Sequence, residues 1–302
     1  MDRLQQQYSG LGSDIIITLV GDKAVLPALF NEIHHAITAF EQRFSRFLPD
    51  SELTQVNKQA GKTVAVSPEF ATLALASKQY SSETNGLYNP FILPALQNAG
   101  YVGSWPSPAA AHTATIFAER QVTEPSKLTI NNDHVHIPPG TALDFGGIGK
   151  GYLLDVLSNL LAGKKLGGYW LSLGGDIMCG GYDIDSADWQ VGIQDAHQAD
   201  SVIATFRAAN GTPLAIATSG TTKRKGIAHG HEWHHIIDPR TGAPVQTAIL
   251  TVSVSAASGT QADVYAKSIL IAGEPYAHKL KAEGKIRSFV IQYHDAAPEI
   301  VI

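Results

Sequence analysis

The sequence predicts an α+β fold, with mixed sheets and packed helices. Two observations lead there. Runs rich in β-branched residues and helical stripes both recur along the chain, yet they lack the regular strand–helix–strand rhythm of a doubly wound sheet. In the second half, glycine and proline turns follow short apolar runs, as between the strands of a sheet. The 302 residues are 44% hydrophobic and 16% charged, ordinary values for a globular protein. That length suffices for one large core or two smaller ones.

In order, residues 13–20 (SDIIITLV) read as a strand ending at Gly21. Residues 24–47 carry apolar positions at helical spacing, with Pro27 tolerable only in the first turn. PDSELT at 49–54 starts a short helix capped by Asp50 or Ser51, and another helix covers 68–84 and stops before Gly86. The run GYVGSWPSPAAAH reads as a surface crossing or linker near residues 100–113. Residues 142–145 predict a short strand, 152–162 an amphipathic helix, and 169–173, 189–193, 213–217 and 249–254 further strands. A helix over 262–271 and a strand over 288–293 close the chain.

Charge and cysteine content exclude several classes. A net charge of -5 and a pI near 6.2 give no electrostatic reason for a nucleic-acid partner or an anionic membrane. The one cysteine, Cys179, can form no intrachain disulfide, which fits a reducing compartment. The N-terminal residues show no apolar signal segment and no apolar run reaches the length of a bilayer span. The expectation is a cytoplasmic protein.

The most informative stretch is DFGGIGKG at 144–151. Gly146, Gly147, Gly149 and Gly151 let backbone approach a ligand closely, and the following helix start offers unpaired N–H groups and partial positive charge. Lys150 adds a full charge where a phosphate would sit. The plainer reading is a tight strand-to-helix connection, but four glycines exceed what a turn needs and favour a phosphate. The spacing fits neither the dinucleotide fingerprint nor the P-loop.

Other signals are weaker alone. LGGD at 173–176 sets Asp176 just beyond a strand, as an acceptor for a ribose or adenine amine or as an ordinary turn residue. TSG at 218–220 reads as a turn with two hydroxyls, Thr218 and Ser219, and a flexible Gly220. HEWHH at 231–235 matches H-E-x-x-H literally, but the flanking IIDPRTG predicts a strand and its turn. In a strand the outer histidines stand roughly 13 Å apart, too far for one zinc. His229, His231 and His234 then read as a surface cluster, leaving His235 and Asp238 open at the turn. Asp263 and Lys267, at i and i+4 on the last predicted helix, read by themselves as a surface ion pair worth about 0.2–0.5 kcal/mol.

Taken together and in order, these segments resemble the ApbE family, the FAD:protein FMN transferases. The matching stretches are LGS at 11–13, FSRFLPDSEL at 44–53, GLYNP at 86–90, LDFGGIGKGY at 143–152 and LGGD at 173–176. They continue with ATSG at 217–220, HIIDPRTGAP at 235–244 and ADVYAKS at 262–268. The resemblance implies a single flavin transferase domain over 1–302, with two lobes around a flavin cleft. It implies that a Thr or Ser hydroxyl of an acceptor flavoprotein attacks the FMN-side phosphorus of FAD, with AMP leaving and a divalent cation, usually Mg2+, bridging the pyrophosphate.

Carried over by position, the resemblance makes Gly147, Lys150 and Gly151 a diphosphate cradle. Leu11, Gly12, Asn89, Asp155, Asp176, Thr218, Ser219 and Gly220 become contacts to FAD. Gly149, through its carbonyl, and Asp263 become metal ligands, with His235 near the phosphates a candidate base or orienting group and Asp263 and Lys267 further catalytic groups. Three positions depart from the family pattern: Gly149 replaces an Ala, Asn89 an Asp, and Lys267 a hydroxyl residue four after the metal Asp. An ammonium at Lys267 would repel a cation or replace it. Two other activities share the resemblance, an FAD pyrophosphatase giving FMN and AMP and a non-catalytic flavin-binding protein.

Overall fold

The computed structural model describes residues 1–101, 103, 122–223, 225–228 and 231–302, with backbone alone at 227–228 and 231–232. Along the first half run β1 (Asp2–Gly10), β2 (Ser13–Gly21), α1 (Leu26–Phe44), α2 (Glu52–Lys58), β3 (Thr63–Ala65), α3 (Pro68–Glu83), α4 (Leu93–Asn98), β4 (Thr129–Asn131) and β5 (His134–His136). Then come α5 (Gly149–Leu161), β6 (Leu166–Leu173), β7 (Asp176–Gly181), β8 (Gln190–Gln194), β9 (Val202–Arg207) and β10 (Leu214–Gly220). The chain ends with β11 (Lys225–Ala228), β12 (His231–His234), β13 (Ile237–Asp238), β14 (Ala243–Pro244), β15 (Ile249–Ala256), α6 (Gly259–Ala272), α7 (Glu274–Ala282), β16 (Ser288–Tyr293) and β17 (Glu299–Val301). The helices and several sheets together bear out the α+β expectation. Among the described residues no helix is long and apolar enough to cross a membrane.

The chain divides into two compact units. The first comprises Met1–Ala39, Gly149–Ser219 and Ala248–Ile302, the second Phe40–Ile148 and Gly220–Thr247. The first unit is built on an eight-stranded sheet in the order β1-β2-β6-β7-β10-β15-β16-β17. The β8–β9 ribbon buries Trp189, Val191, Ile193 and Phe206 against Cys179, Leu214, Ile216 and Val290 of that sheet. Helix α5 buries Leu153, Leu154, Leu157 and Leu161, an apolar stripe at helical spacing. Helix α6 is buried on nearly every side, so even its polar residues lie inside.

In the second unit the rings of Phe44, Phe70 and Phe145 pack on one another at centroid distances of 5.7–5.9 Å. Ser51 and Ser67 accept from the amides of Thr54 and Phe70 and so start α2 and α3. The second unit also holds α4, the three-stranded sheet β3-β5-β4 and the ribbons β11–β12 and β13–β14.

Four expectations need correction. Residues 142–145 form no strand. The Leu143 amide donates to Asn57 Oδ1 at 2.7 Å, its carbonyl accepts from Asn57 Nδ2 at 2.9 Å, and the Asp144 amide donates to the Pro90 carbonyl at 2.8 Å. A side-chain amide takes the place of a neighbouring strand. Helix α5 starts at Gly149 and not at 152, because tertiary packing overrides the low helix propensity of glycine. Thr218, Ser219 and Gly220 belong to β10 and not to a turn beyond it. His234 is no surface residue: its Nε2–H donates to the Val245 carbonyl at 3.1 Å and its Nδ1 accepts the Ile236 amide at 3.3 Å. His229 lies outside the described residues, as does most of the expected crossing near 100–113. The extended backbone of β12 agrees with rejecting a helical zinc motif at 231–235.

Candidate active site

Two hairpin turns of the first unit lie side by side. Gly10 pairs with Ser13, leaving Leu11 and Gly12 as a two-residue turn with φ of 56° and 65°. Positive φ at both positions is the hairpin geometry whose twist matches the strands. A leucine held there costs about 1–3 kcal/mol, and strain of that kind collects at functional sites. The β6–β7 turn repeats the device with Gly174 and Gly175, at φ of 64° and 96°. The Gly174 amide donates to the Asp14 carbonyl at 2.8 Å, and a Cβ there would stand 2.7 Å from Ser13 Oγ. Only glycine permits that approach.

The N-termini of α5 and α6 touch backbone to backbone. A Cβ on Gly151 would lie 2.2 Å from the Gly259 carbonyl oxygen, and one on Gly259 would lie 2.5 Å from that of Gly151. Each helix then caps the other. Asp155 of α5 accepts from the amides of Gly259 at 2.7 Å and Thr260 at 2.9 Å, while Asp263 Oδ2 of α6 accepts from the Gly151 amide at 3.2 Å. Gly151 of the glycine loop therefore serves helix packing.

Asp263 is 5% exposed, which removes the surface-ion-pair reading. The Gly151 amide is the one hydrogen-bond partner of its side chain among the described residues, and it joins no ion pair there. Lys267 follows one turn later and is half-buried. Gly149 is buried at the helix start.

Lys150 forms an ion pair with Asp176 Oδ2. Asp176 is 2% exposed, and its Oδ1 accepts the Thr218 amide at 3.0 Å. Both carboxylate oxygens thus have protein partners, one placing Lys150 and the other the end of β10. The Thr218 hydroxyl meets Ser253 Oγ at 2.8 Å, and Ser219 is buried.

Within the second unit, Asn89 donates from Nδ2 to the Thr123 carbonyl at 3.1 Å and accepts the Phe91 amide at 2.9 Å. A carboxylate could not make the first bond, which gives this departure from the family pattern a structural reason. Gly147 is buried and Gly220 half-buried. The His235 ring stands edge-on to Tyr101 at 6.1 Å. Arg46 and Asp144, which sequence reasoning did not single out, form a buried ion pair at 3.0 Å. Asp144 Oδ1 also accepts the Gly146 amide at 2.8 Å, and so shapes the glycine loop from its first residue. Arg46 lies over the rings of Phe47 and Tyr101 at 4.2 and 4.6 Å. Both residues fall inside the quoted motif stretches, but nothing in the sequence says they meet.

The profile of the ApbE family matches residues 11–289. The chain belongs to the ApbE family. The match runs from the strained turn at Leu11 to Phe289 in β16 and so includes every predicted site residue. A relative from Treponema pallidum named FAD:protein FMN transferase is 30% identical over 268 residues, covering 83% of this chain and 73% of the relative. One of that name from Escherichia coli K12 is 25% identical over 258 residues, covering 83% and 73%. The crystal structure of an ApbE protein from Thermotoga maritima superposes with a TM-score of 0.87 at 22% identity, covering 99% of this chain and 97% of the other. The flavin transferase ApbE from Vibrio cholerae gives 0.79 at 23% identity, covering 99% and 96%. These two likenesses establish the ApbE fold.

Proposed function

We propose that the chain transfers the FMN half of FAD to a Thr or Ser hydroxyl of an acceptor protein and releases AMP. The observation that carries this is the reciprocal capping of α5 and α6. It fixes a buried carboxylate, Asp263, beside a helix N-terminus that also bears Lys150. A diphosphate needs such donors, because negative charge builds on its oxygens as phosphorus changes partners.

The acceptor hydroxyl oxygen forms the new bond to the FMN-side phosphorus. The bond from that phosphorus to the bridging oxygen breaks, AMP departs with that oxygen, and the hydroxyl proton passes to a base. The α5 amides and Lys150 offset the phosphate charge, with Asp176 holding Lys150 in place. Asp155 acts by positioning α6 and hence Asp263. Leu11, Gly12, Thr218 and Ser219 contact FAD in this reading. The assignment of Asn89, Gly147 and Gly220 to FAD, and of His235 as the base, rests on the family resemblance.

The donor set fits a divalent cation. Asp263 Oδ1 has no protein partner among the described residues, and with the Gly149 carbonyl it offers hard oxygen ligands of the kind Mg2+ takes alongside water. Bound there, the ion would stabilise charge on the pyrophosphate oxygens. Lys267, one turn from Asp263, supplies part of the same positive charge.

Product analysis tests the reading. Incubated with FAD and an acceptor flavoprotein, the enzyme should give AMP and covalent FMN on the acceptor. Free FMN and AMP in equal amounts, with no covalent product, would mark a pyrophosphatase instead. Unchanged bound FAD would mark a binding protein.

A further inference from the structure

Apart from that machinery, the first unit holds a second convergence of metal-ligand groups. Glu274 and His278 sit one turn apart at the start of α7, a spacing that puts both on one helix face. Glu299 stands on β17, the last strand of the sheet, paired with Ile291. His278 Nε2 lies 3.6 Å from Glu274 Oε1 and 3.6 Å from Glu299 Oε1. One ring nitrogen of His278 and one carboxylate oxygen from each glutamate all lie within 4.8 Å of one another.

We propose that Glu274, His278 and Glu299 bind a divalent transition-metal ion, Zn2+ first among them, which ties α7 to the edge strand β17. This inference does not depend on the flavin reading.

Ligands about 2.0–2.1 Å from a tetrahedral zinc stand roughly 3.4 Å apart. Two of the three separations are already close to that, and the third closes by rotation of half-exposed glutamate side chains. One imidazole nitrogen with two carboxylates leaves a fourth position for water, and it suits zinc better than magnesium, which prefers oxygen donors alone. The support around the ligands is also in place. Tyr293 donates its hydroxyl to Glu274 Oε2 at 2.5 Å, leaving Oε1 on the His278 side. The His278 ring packs edge-on against Phe289 at 5.1 Å, which limits its rotation. A hydrogen bond that orients a metal-binding carboxylate is the usual outer support of such a site. The alternative is an ion-pair cluster of the three side chains with no metal ion.

The experiment is a titration of the full chain with Zn2+ alone, in excess Mg2+, followed by calorimetry and thermal denaturation. The expected result is one equivalent of Zn2+ bound and a rise in Tm. In His278→Ala and in Glu299→Gln that equivalent should weaken at least tenfold and the Tm rise should vanish. Tyr293→Phe should weaken it by about tenfold, the usual effect of removing an outer-shell partner. No binding, or the same affinity and Tm rise in both ligand variants, would overturn the proposal and leave an ion-pair cluster. Should His278→Ala fail to fold, Glu299→Gln decides alone.

Discussion

His234 shows how one side chain can couple the fold to pH. Its Nδ1 must accept the Ile236 amide and its Nε2–H must donate to the Val245 carbonyl, so only the neutral ring satisfies both. Burial pushes its pKa below the ordinary histidine value. The folded state therefore binds fewer protons than the unfolded chain. The stability this confers is present above the unfolded value of about 6.5 and is lost as pH falls below it towards the folded value. Urea denaturation of the unaltered protein should accordingly show a loss between pH 7.5 and pH 5.5 that His234→Gln reduces. Parallel curves for the two proteins would exclude His234 as the source.

Lys267 offers a second test at this scale. Lys267→Thr places a hydroxyl one turn from Asp263, where the family pattern has one. If the lysine supplies part of the charge, the unaltered enzyme keeps partial transfer activity in EDTA and the variant becomes strictly dependent on Mg2+. Identical Mg2+ titrations of FMN transfer would make Lys267 a bystander.

Among the elements, the α5–α6 crossing depends on residues with no side chain. In Gly151→Ala the new Cβ would meet the Gly259 carbonyl oxygen at 2.2 Å and Asp263 Cβ at 2.8 Å, so the helices must separate. Overpacking of this kind typically costs about 1–3 kcal/mol. The urea midpoint should fall, and FMN transfer should fall further than stability alone explains, because Asp263 moves with α6. A variant of unaltered stability and activity would show that the approach is not required.

The same crossing explains what the sequence left hidden. Four glycines look like a ligand loop, yet Gly151 is needed for a helix contact that only the folded chain reveals. Asp263 looks like half of a surface pair because i and i+4 spacing says nothing about what covers the helix. By contrast, the helix over residues 24–47 was legible because its apolar stripe at helical spacing marks a buried face, and the strand at 13–20 because of its β-branched residues and the glycine that ends it. β1 was not, because the QQQ run lies on an edge strand with little apolar surface. Arg46 and Asp144 were invisible for another reason: their pairing is long-range, and neither residue type is unusual on its own.

For the molecule as a whole, the ApbE match over residues 11–289 and the FAD:protein FMN transferase name of its relatives support one activity. In the proposed reading, the strained Leu11 turn, the capped start of α5 and the buried Asp263 of the first unit would serve that activity. Cys179 takes no part, as burial pushes its thiol up to about 12 and keeps it protonated. The most direct test is the intact mass of an acceptor flavoprotein after incubation with FAD and Mg2+, using either the unaltered enzyme or Asp263→Asn. Both enzymes should bind FAD with similar affinity, while only the unaltered one adds one FMN to the acceptor. An acceptor left unmodified by the unaltered enzyme, or flavinylated equally by the variant, would contradict the account.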